Sequence, residues 1–381
     1  MPSHTYSRRD IIRTVSNILV ASGAPFMLSC GMRSTQESRP LPERLAGVIG
    51  AMRSGAVRQL IAAANLVADV IIGRNRAFAA SDNGAFMAMF DSPMTRMPHV
   101  FIPLRSEEMA QTIRTGDVIV SFDCCGLVDT ARSRGASVIL LSSGQESPAP
   151  GDVSSAEITI PLFTATENGL DTAASGISAA AAMLALAGEA YERSGGIGRT
   201  GESEPSTATA FLTKLQERLT DSLTQDKAVS TAADRIATTV SAGGILYVWD
   251  NEGFFSNLFA RLKKSRMESA VIEDRGMAPG FTEDDTLVLG ALTSNSPDDL
   301  AITRRAANAG AFVATICPGS GEGGYRLFSA ADVSLDNLSP ETGGLIAFDY
   351  GRTSFLSTGP IMNMALAGWL AELSESLAAT R

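Results

Sequence analysis

Histidine, cysteine and basic residues are scarce in this chain. Its 381 residues include two histidines, His4 and His99, and four cysteines. Metal centres and disulfide scaffolds are built from these residue types, so we expect no metal site, no disulfide framework and no cofactor. Acidic residues outnumber basic ones by 41 to 31, which gives a net charge of -10. A protein that neutralises nucleic-acid phosphates needs a basic surface, so the composition argues against nucleic-acid binding.

Apolar residues, by contrast, are abundant. They make up 45% of the chain, and charged residues make up 19%. A chain of this length and composition buries a large core and does not resemble a disordered protein. The length predicts two domains or one large one.

The first 29 residues resemble an export signal. Arg8 and Arg9 precede a short, weakly apolar run over residues 18–28, as in signals of the twin-arginine type. That run is too short to span a bilayer stably. Residues 27–31, Met-Leu-Ser-Cys-Gly, resemble a lipobox, in which cleavage precedes the cysteine and the cysteine receives lipid. An ordinary cleaved signal is the alternative.

These features predict an export signal over residues 1–29, lipidation at Cys30 and a flexible tether over residues 30–42. The protein would be periplasmic or attached to the cell envelope as a lipoprotein. We expect it to contact a membrane through the N-terminal lipid anchor alone.

The rest of the chain repeats one order of elements. In both halves an amphipathic helix leads through glycine to an apolar strand, and an Asp-Asn pair and a glycine follow the strand. These segments cover residues 63–84 and 232–253. Two further strands joined by a helix follow, over residues 116–141 and 284–316. Continuous apolar strands that alternate with helices predict parallel sheets covered on both faces.

A segment rich in Gly, Ser, Glu and Pro separates the two copies and predicts a linker over residues 194–206. We therefore predict an α/β protein with two tandem αβα three-layer domains, over residues 43–193 and 207–381. An ancestral dimer fused into one chain is the simplest interpretation, and a loose side-by-side pair is the alternative.

These domains resemble two copies of the sugar isomerase (SIS) phosphosugar-binding domain. The best match lies in the second half, in residues 331–337, Pro340-Glu341-Thr342-Gly343 and Ser357-Thr358-Gly359. The resemblance implies parallel sheets of flavodoxin-like strand order, with a sugar phosphate bound over the carboxyl ends of the strands. Polar turns that lead into helix N-termini supply free N–H groups for such an anion.

The chain departs from that family where the phosphate would bind. Members typically carry a Ser-x-Ser-Gly-x-Thr turn, whereas the second half retains Ser294-Asn295-Ser296 followed by Pro297, which has no N–H. In the first half the matching turn begins at Ser121 and contains Asp123, whose charge would repel a phosphate. Carboxylates and amides bind neutral sugar hydroxyls well, so the ligand need not be a phosphosugar. The expected partner is therefore a small-molecule sugar or sugar phosphate.

The candidate ligand-binding residues follow the strands in both halves. Helix capping is the alternative role for the Asp-Asn pairs and the serines, because caps favour the same residue types. The candidates are Ser81, Asp82, Asn83, Gly84, Ser121, Asp250, Asn251, Gly253, Thr293, Ser294, Asn295 and Ser296.

Three acids and one histidine are the candidate catalytic residues. Glu167, Glu252 or Glu341 could act as the base of an aldose-ketose isomerisation, which removes a proton next to a carbonyl, and His99 could assist ring opening. Solvated loop acids and a structural histidine are the alternatives. The sequence thus leaves three functions open: an exported protein that binds a carbohydrate derivative, an aldose-ketose isomerase, and a degenerate scaffold. A homo-oligomer is compatible with each.

Overall fold

A computed structural model describes most of the chain from residue 39 onward. The described residues are 39–83, 86–87, 90, 100–122, 126–143, 158–166, 169–195, 206–250, 269–271, 280–319, 326–339, 346–348 and 354–380. The predicted export signal and the lipidation site at Cys30 lie outside them.

The first half contains five helices and seven strands among the described residues. In chain order they are α1 (Leu41–Gly55), α2 (Val57–Ile72), β1 (Ala77–Ser81), β2 (Phe101–Pro103), α3 (Glu107–Ala110), β3 (Val118–Phe122), α4 (Gly126–Ser133), β4 (Ser137–Ser142), β5 (Ile158–Pro161), β6 (Ala165–Thr166), β7 (Gly169–Leu170) and α5 (Thr172–Ser194). Strands β6 and β7 form a short antiparallel pair.

The second half repeats most of this order. Its described elements are α6 (Thr207–Ser222), a 3₁₀ turn (Leu223–Gln225), α7 (Asp226–Ser241), β8 (Leu246–Asp250), β9 (Ser269–Val271), β10 (Thr286–Gly290), α8 (Pro297–Asn308), β11 (Phe312–Cys317), β12 (Val333–Asp336), β13 (Ile346–Phe348), β14 (Ser354–Leu356) and α9 (Gly359–Ala378). Strands β13 and β14 again form a short antiparallel pair.

Each half contains one five-stranded parallel sheet. The strand order is β2-β1-β3-β4-β5 in the first and β9-β8-β10-β11-β12 in the second. Counted from the first strand of each half, both orders are 2-1-3-4-5, which is the flavodoxin-like order. The predicted α/β class and strand order are therefore confirmed. In both sheets the strand order reverses between the first and third strands. We call these two places, β1/β3 and β8/β10, the switch points.

The strands of these parallel sheets are apolar on both faces because helices cover both faces. All five residues of β3 are buried, and alternate side chains join different clusters. Val118 and Val120 pack on one face, whereas Ile119 packs on the other, with Val128 of α4. A strand covered on both faces cannot alternate between apolar and polar residues, which explains the continuous apolar runs in the sequence.

The two halves also share backbone turns. Gly135 and Gly310 precede β4 and β11 with φ of 85° and 82°. Phe163 and Leu338 lie two residues after β5 and β12 with φ of 56° and 54°, a conformation that non-glycine residues seldom adopt. The same unusual turn thus follows the last strand of each sheet.

The halves are packed together rather than loosely tethered. The largest buried cluster contains residues of α1, α2 and α5 together with residues of α6, α7 and α9. Arg44 of α1 donates to Asp171 at 2.8 Å and to Glu372 of α9 at 2.8 Å, and so joins the two halves. Burial would lower the pKa of Arg44, but hydrogen bonds and charge interactions with these two carboxylates raise it above its ordinary value.

Helix α5 illustrates how apolar this shared core is. Residues 173–194 are long and apolar enough to cross a bilayer, but 94% of the apolar window is buried inside the protein. Helices α1 and α2 pass the same test only as a pair bent by 71°. A core helix of a folded domain meets the same criteria of length and composition.

Candidate functional site

The predicted ligand-binding residues that the structure describes lie at or near the carboxyl ends of the strands of their own sheet. Ser81 ends β1, Ser121 is the fourth residue of β3, and Asp250 ends β8. In sheets of this order, ligands bind in the crevice outside the carboxyl ends where the strand order reverses. The candidates therefore lie at the position where the topology itself predicts a site.

In the first half, Ser81 and Asn83 organise the turn after β1. The Ser81 hydroxyl accepts a hydrogen bond from the Asn83 N–H at 2.9 Å, and the Asn83 side-chain oxygen accepts from the Phe86 N–H at 3.1 Å. Asn83 thus has the capping role that was the alternative to ligand binding. Asp82 lies between them with an exposed side chain, so its carboxylate is free to face a ligand.

Asn83 also contacts the start of α5. A Cβ added at Gly176 would lie 2.7 Å from Asn83 Oδ1 and 2.8 Å from Nδ2, so a larger residue there would force the Asn83 side chain to move. Next to Gly176, the Ser175 hydroxyl is 3.2 Å from that of Thr164, which donates to the Ser143 carbonyl at 3.0 Å. The turns after β1, β4 and β5 and the start of α5 thus meet in one polar cluster.

Ser121 differs from these residues because its buried hydroxyl has no hydrogen-bond partner among the described residues. Its neighbour Ile119 packs with Val128 and Ala131 of α4, so strand alternation places Ser121 on the same face, toward α4. A buried hydroxyl without a partner is costly, by about 1–3 kcal/mol, and such groups are rare in native proteins.

In the second half, Ser296 caps α8. Its hydroxyl accepts from the Asp299 N–H at 3.4 Å, which supports the capping alternative for this residue. Thr293 is partly buried, and Ser294 is buried, with its carbonyl accepting from the Leu327 N–H at 3.0 Å. Asn295 is also partly buried, beside Ser296 in the same turn.

A buried amide network lies next to that turn. Asn337 donates to Asn363 Oδ1 of α9 at 2.8 Å, and Asn363 donates to the Ala291 carbonyl at 3.2 Å. The Ser339 N–H donates to Asn337 Oδ1 at 3.0 Å, and the Ser339 hydroxyl lies 3.5 Å from that of Thr358. The Ser339 and Thr358 pair matches the Thr164 and Ser175 pair of the first half.

Sequence reasoning did not single out as candidate site residues the hydroxyl pairs Thr164–Ser175 and Ser339–Thr358 or the Asn337–Asn363 amide pair. The signal was present, because Ser175-Gly176 and Thr358-Gly359 occur at the starts of matching helices, and residues 336 and 337 lie in the stretch that best resembles the SIS family. What the sequence did not show was that hydroxyl and amide side chains far apart in the chain would pair with one another.

Two carboxylates of the second half accept hydrogen bonds from N–H groups of the protein. Asp299 accepts from the Trp249 indole N–H at 2.7 Å and is 2% exposed. Asp336, which ends β12, accepts from the N–H groups of Gly319 and Leu338, both at 2.8 Å. The nearby Arg218 is half-buried, and burial lowers its pKa from the ordinary value, although the charge of Asp336 opposes the shift.

Several candidates lie outside the described residues: Gly84, Asn251, Gly253, Glu167, Glu252, Glu341 and His99. The backbone of Asp250 is described, but its side chain is not.

The described residues contain no group of three or more His, Cys, Asp or Glu side chains that could hold a metal ion. Cys317 is buried in an apolar cluster, as expected of a small apolar residue.

No protein-family model matches this sequence, and no curated protein matches it. Solved structures do show the same fold. The C-terminal domain of glucosamine-fructose-6-phosphate aminotransferase from Francisella tularensis has a TM-score of 0.57 at 9% identity, over 91% of this chain and 99% of that one.

Two further structures agree. A candidate phosphosugar isomerase from Clostridium difficile 630 has a TM-score of 0.56 at 10% identity, over 90% of this chain and 93% of that one. The tagatose-6-phosphate ketose/aldose isomerase of Escherichia coli has a TM-score of 0.52 at 11% identity, over 91% and 95%. This chain shares the fold of these proteins along nearly its whole described length.

Proposed function

We propose that the protein is a tandem SIS-family protein that binds a carbohydrate derivative at the carboxyl ends of its parallel strands. The observation that carries the proposal is the polar cluster at the β1/β3 switch point, where the turn formed by Ser81, Asp82 and Asn83 follows β1 and the Asn83 side chain contacts Gly176 at the start of α5. Small-molecule sites in flavodoxin-like sheets occur at this position. The structures of similar fold support a sugar-related role, since their names refer to sugar phosphates.

The chemistry of the site favours sugar hydroxyls as the groups recognised. Hydroxyl, amide and carboxylate groups surround the first-half cluster, and Asp82 adds an exposed negative charge. In the second half Pro297 begins α8 without an N–H, and Asp298 and Asp299 occupy its first turn. A phosphate would meet repulsion from those carboxylates. A neutral or amino sugar is therefore the preferred ligand, with a sugar phosphate as the other class to test.

An aldose-ketose isomerase is the second candidate function, supported by the isomerase of similar fold from Escherichia coli. Glu167, Glu252, Glu341 and His99 remain its predicted catalytic residues. Incubation of the protein with each sugar that binds, followed by chromatographic separation of aldose and ketose forms, tests this function. Conversion that is lost in a Glu167→Gln, Glu252→Gln or Glu341→Gln variant would identify the base.

We further propose that the protein is exported and attached to the cell envelope through lipid on Cys30. The paired arginines and the lipobox-like segment of the sequence support this proposal. Export would also favour a ligand other than a sugar phosphate, because sugar phosphates are mainly cytoplasmic metabolites.

A thermal-shift screen of residues 30–381 tests the binding function. Glucose, glucosamine, fructose 6-phosphate and inorganic phosphate are the probes, because a compound that binds only the folded state raises the melting temperature. We expect a sugar to raise it, and the Asp82→Ala variant to reduce that shift. Asp284→Ala is the matched control, since Asp284 is also exposed but lies at the opposite, amino-terminal edge of its sheet. The absence of any shift would favour the scaffold alternative.

A further inference from the structure

The helix that leads into each sheet ends in a turn with a left-handed backbone conformation. Arg74 lies two residues after the end of α2 with φ of 61°, and Gly243 lies two residues after the end of α7 with φ of 84°. In both turns the next residue donates its backbone N–H to a carbonyl in the last turn of the helix, at 2.9 Å. Glycine is strongly preferred at this position, because a side chain strains such a backbone. The first half thus keeps an arginine at a backbone cost that the second half avoids.

Arg74 belongs to a continuous surface at the amino-terminal edge of the first sheet. A Cβ added at Gly116 would lie 3.0 Å from Asn75 Nδ2, and the Thr115 hydroxyl donates to the Arg134 carbonyl at 3.3 Å. The turns before β1, β3 and β4 are therefore in contact. The exposed side chains of these turns and of the end of α2 form a surface that we call the basic edge: Ile72, Arg74, Arg114 and Arg134.

The basic edge has the composition of an interaction surface. The guanidinium groups of its arginines form no hydrogen bond or ion pair with any residue that the structure describes. Ile72 beside them is 62% exposed. Arginine is enriched in protein interfaces, and the buried centre of an interface is apolar. The combination of unpaired arginines with an exposed isoleucine therefore indicates a surface that a partner covers.

The second half carries the opposite charge at the same edge. Counted from the same strand starts, the positions equivalent to the basic edge hold Ser241, Gly243, Thr282 and Ala309. Arg305, in the last turn of α8, adds a positive charge at this end of the sheet. Exposed carboxylates outnumber it and form a surface that we call the acidic edge: Glu283, Asp284 and Asp332. The two halves share the turns but not the charges, so the fold requires neither set of charges.

A second copy of the chain supplies a partner that fits the basic edge. The carboxylates of Glu283 and Asp284 form no ion pair with the described residues, so the two edges offer unpaired charges of opposite sign. An anionic membrane fits less well. The predicted lipid tether leads into α1, whose Arg44 bonds to Asp171 at the start of α5, on the carboxyl-terminal side of the first sheet. The tether would therefore direct the side opposite the basic edge toward a membrane.

We propose that the protein self-associates by docking the basic edge of one copy on the acidic edge of another. Reciprocal docking closes a dimer in which each copy contributes both edges. The contact lies at the amino-terminal edges of the sheets, so it leaves the carboxyl-terminal edges open to ligand. The backbone strain at Arg74 is explained because the guanidinium group serves this contact rather than the fold.

Sedimentation velocity of residues 30–381 tests self-association, in reducing buffer so that Cys30 cannot link two copies. We expect oligomers in about 0.05 M NaCl and monomers in about 0.5 M, since the Debye length falls from roughly 10 Å at 0.1 M to roughly 3 Å at 1 M. Arg114→Glu should weaken association about tenfold, because it brings like charges together. Addition of Glu283→Arg to that variant should restore association. Arg58→Glu is the matched control, since Arg58 is also exposed but lies in the first turn of α2, at the other end of that helix.

Arg74→Gly separates a role in docking from a role in the fold. Glycine relieves the strained turn, so the melting temperature of this variant should rise when it is measured in about 0.5 M NaCl, where the protein is monomeric. Its self-association in about 0.05 M NaCl should weaken about threefold or more, because one of the docking charges is lost. A lower melting temperature would show that the arginine serves the fold and would overturn this part of the inference.

A monomer at both salt concentrations would overturn the inference. Equal effects of Arg114→Glu and Arg58→Glu would do the same, as would failure of Glu283→Arg to restore association. Binding of poly-L-glutamate to a protein that stays monomeric would assign the basic edge to another acidic polypeptide. Binding of that monomer to phosphatidylglycerol vesicles would assign it to a membrane, and either result would overturn the second copy as the occupant.

Discussion

Asp117 should be one of the most important carboxylates for the stability of the first sheet. It lies just before β3, is 2% exposed and accepts hydrogen bonds from the Arg76 N–H at 2.9 Å, the Arg76 guanidinium at 2.7 Å and the Arg114 N–H at 3.0 Å. These hydrogen bonds connect the start of β1 with the start of β3. An Asp117→Ala change would leave two backbone donors and a cation without their acceptor.

The size of the effect follows from these contacts. Removal of one partner of a buried ion pair costs about 3–5 kcal/mol. The Arg76 side chain is 34% exposed, so water replaces part of the lost interaction. We therefore expect Asp117→Ala to lower the free energy of unfolding by about 2–3 kcal/mol. The proposed site at the carboxyl end of the sheet should keep any ligand affinity, because Asp117 lies at the opposite edge.

Urea denaturation followed by circular dichroism measures this loss. Asp129→Ala is the control, because that side chain is 84% exposed and its ion pair with Arg132 is 3.6 Å long. Exposed pairs of this kind contribute little, so the control should change the free energy of unfolding by less than about 0.5 kcal/mol. Equal effects of the two substitutions would refute the reasoning.

The pH dependence gives an independent check. Burial raises the pKa of Asp117, but hydrogen bonds and the charge of Arg76 outweigh it and lower the pKa below its ordinary value. A carboxyl whose pKa is lower in the folded state contributes stability above its unfolded pKa and loses it as the pH falls through the folded pKa. The difference in unfolding free energy between wild type and Asp117→Ala should therefore shrink as the pH falls below about 4. A difference that stays constant down to pH 2 would contradict this account.

Three further predictions concern other parts of the molecule. Asn363→Leu removes the oxygen that accepts from the buried Asn337 amide at 2.8 Å and one donor to the Ala291 carbonyl, so calorimetry should show a loss of about 1–3 kcal/mol, and a loss below about 0.5 kcal/mol would refute the network. Burial, followed by the charge of Asp285, raises the pKa of Tyr247, so stability should fall as the pH rises above about 10. A Tyr247→Phe variant should lose less stability there, measured by urea denaturation at pH 8 and pH 11. Cys30→Ser should abolish labelling by radioactive palmitate and release the protein from the membrane fraction, and unchanged labelling would disprove lipidation at that residue.

The sheet topology could be predicted from the sequence because it depends on local patterns. Continuous apolar strands such as residues 118–122, each followed by a helix, indicate parallel pairing, and the family resemblance supplied the flavodoxin-like order that both sheets show. The candidate residues at strand ends, such as Ser81, were accessible for the same reason. In a parallel sheet all strands end at one edge, so position in the sequence predicts position in space.

The pairing of side chains at that edge could not be predicted from the sequence. Ser296 and Asn83 are suitable both as caps and as ligand contacts, and only their hydrogen bonds show that both are caps. The Asn337 and Asn363 pair joins residues that are separated by 26 positions. No local pattern predicts which of many buried polar groups will meet, because that depends on how α9 packs on the sheet.

The comparison of the two halves shows why an internal repeat is informative about function as well as fold. Requirements of the fold act equally on both copies, and the features that serve it recur: Asp117 and Asp285 both accept backbone N–H groups from the start of the first strand of their half, at 2.9 Å from Arg76 and from Ile245. A ligand acts only on the copy that binds it. The positions where the copies differ, such as Ser121 against Leu289 in otherwise equivalent buried strands, are therefore positions whose residue type the shared fold does not determine.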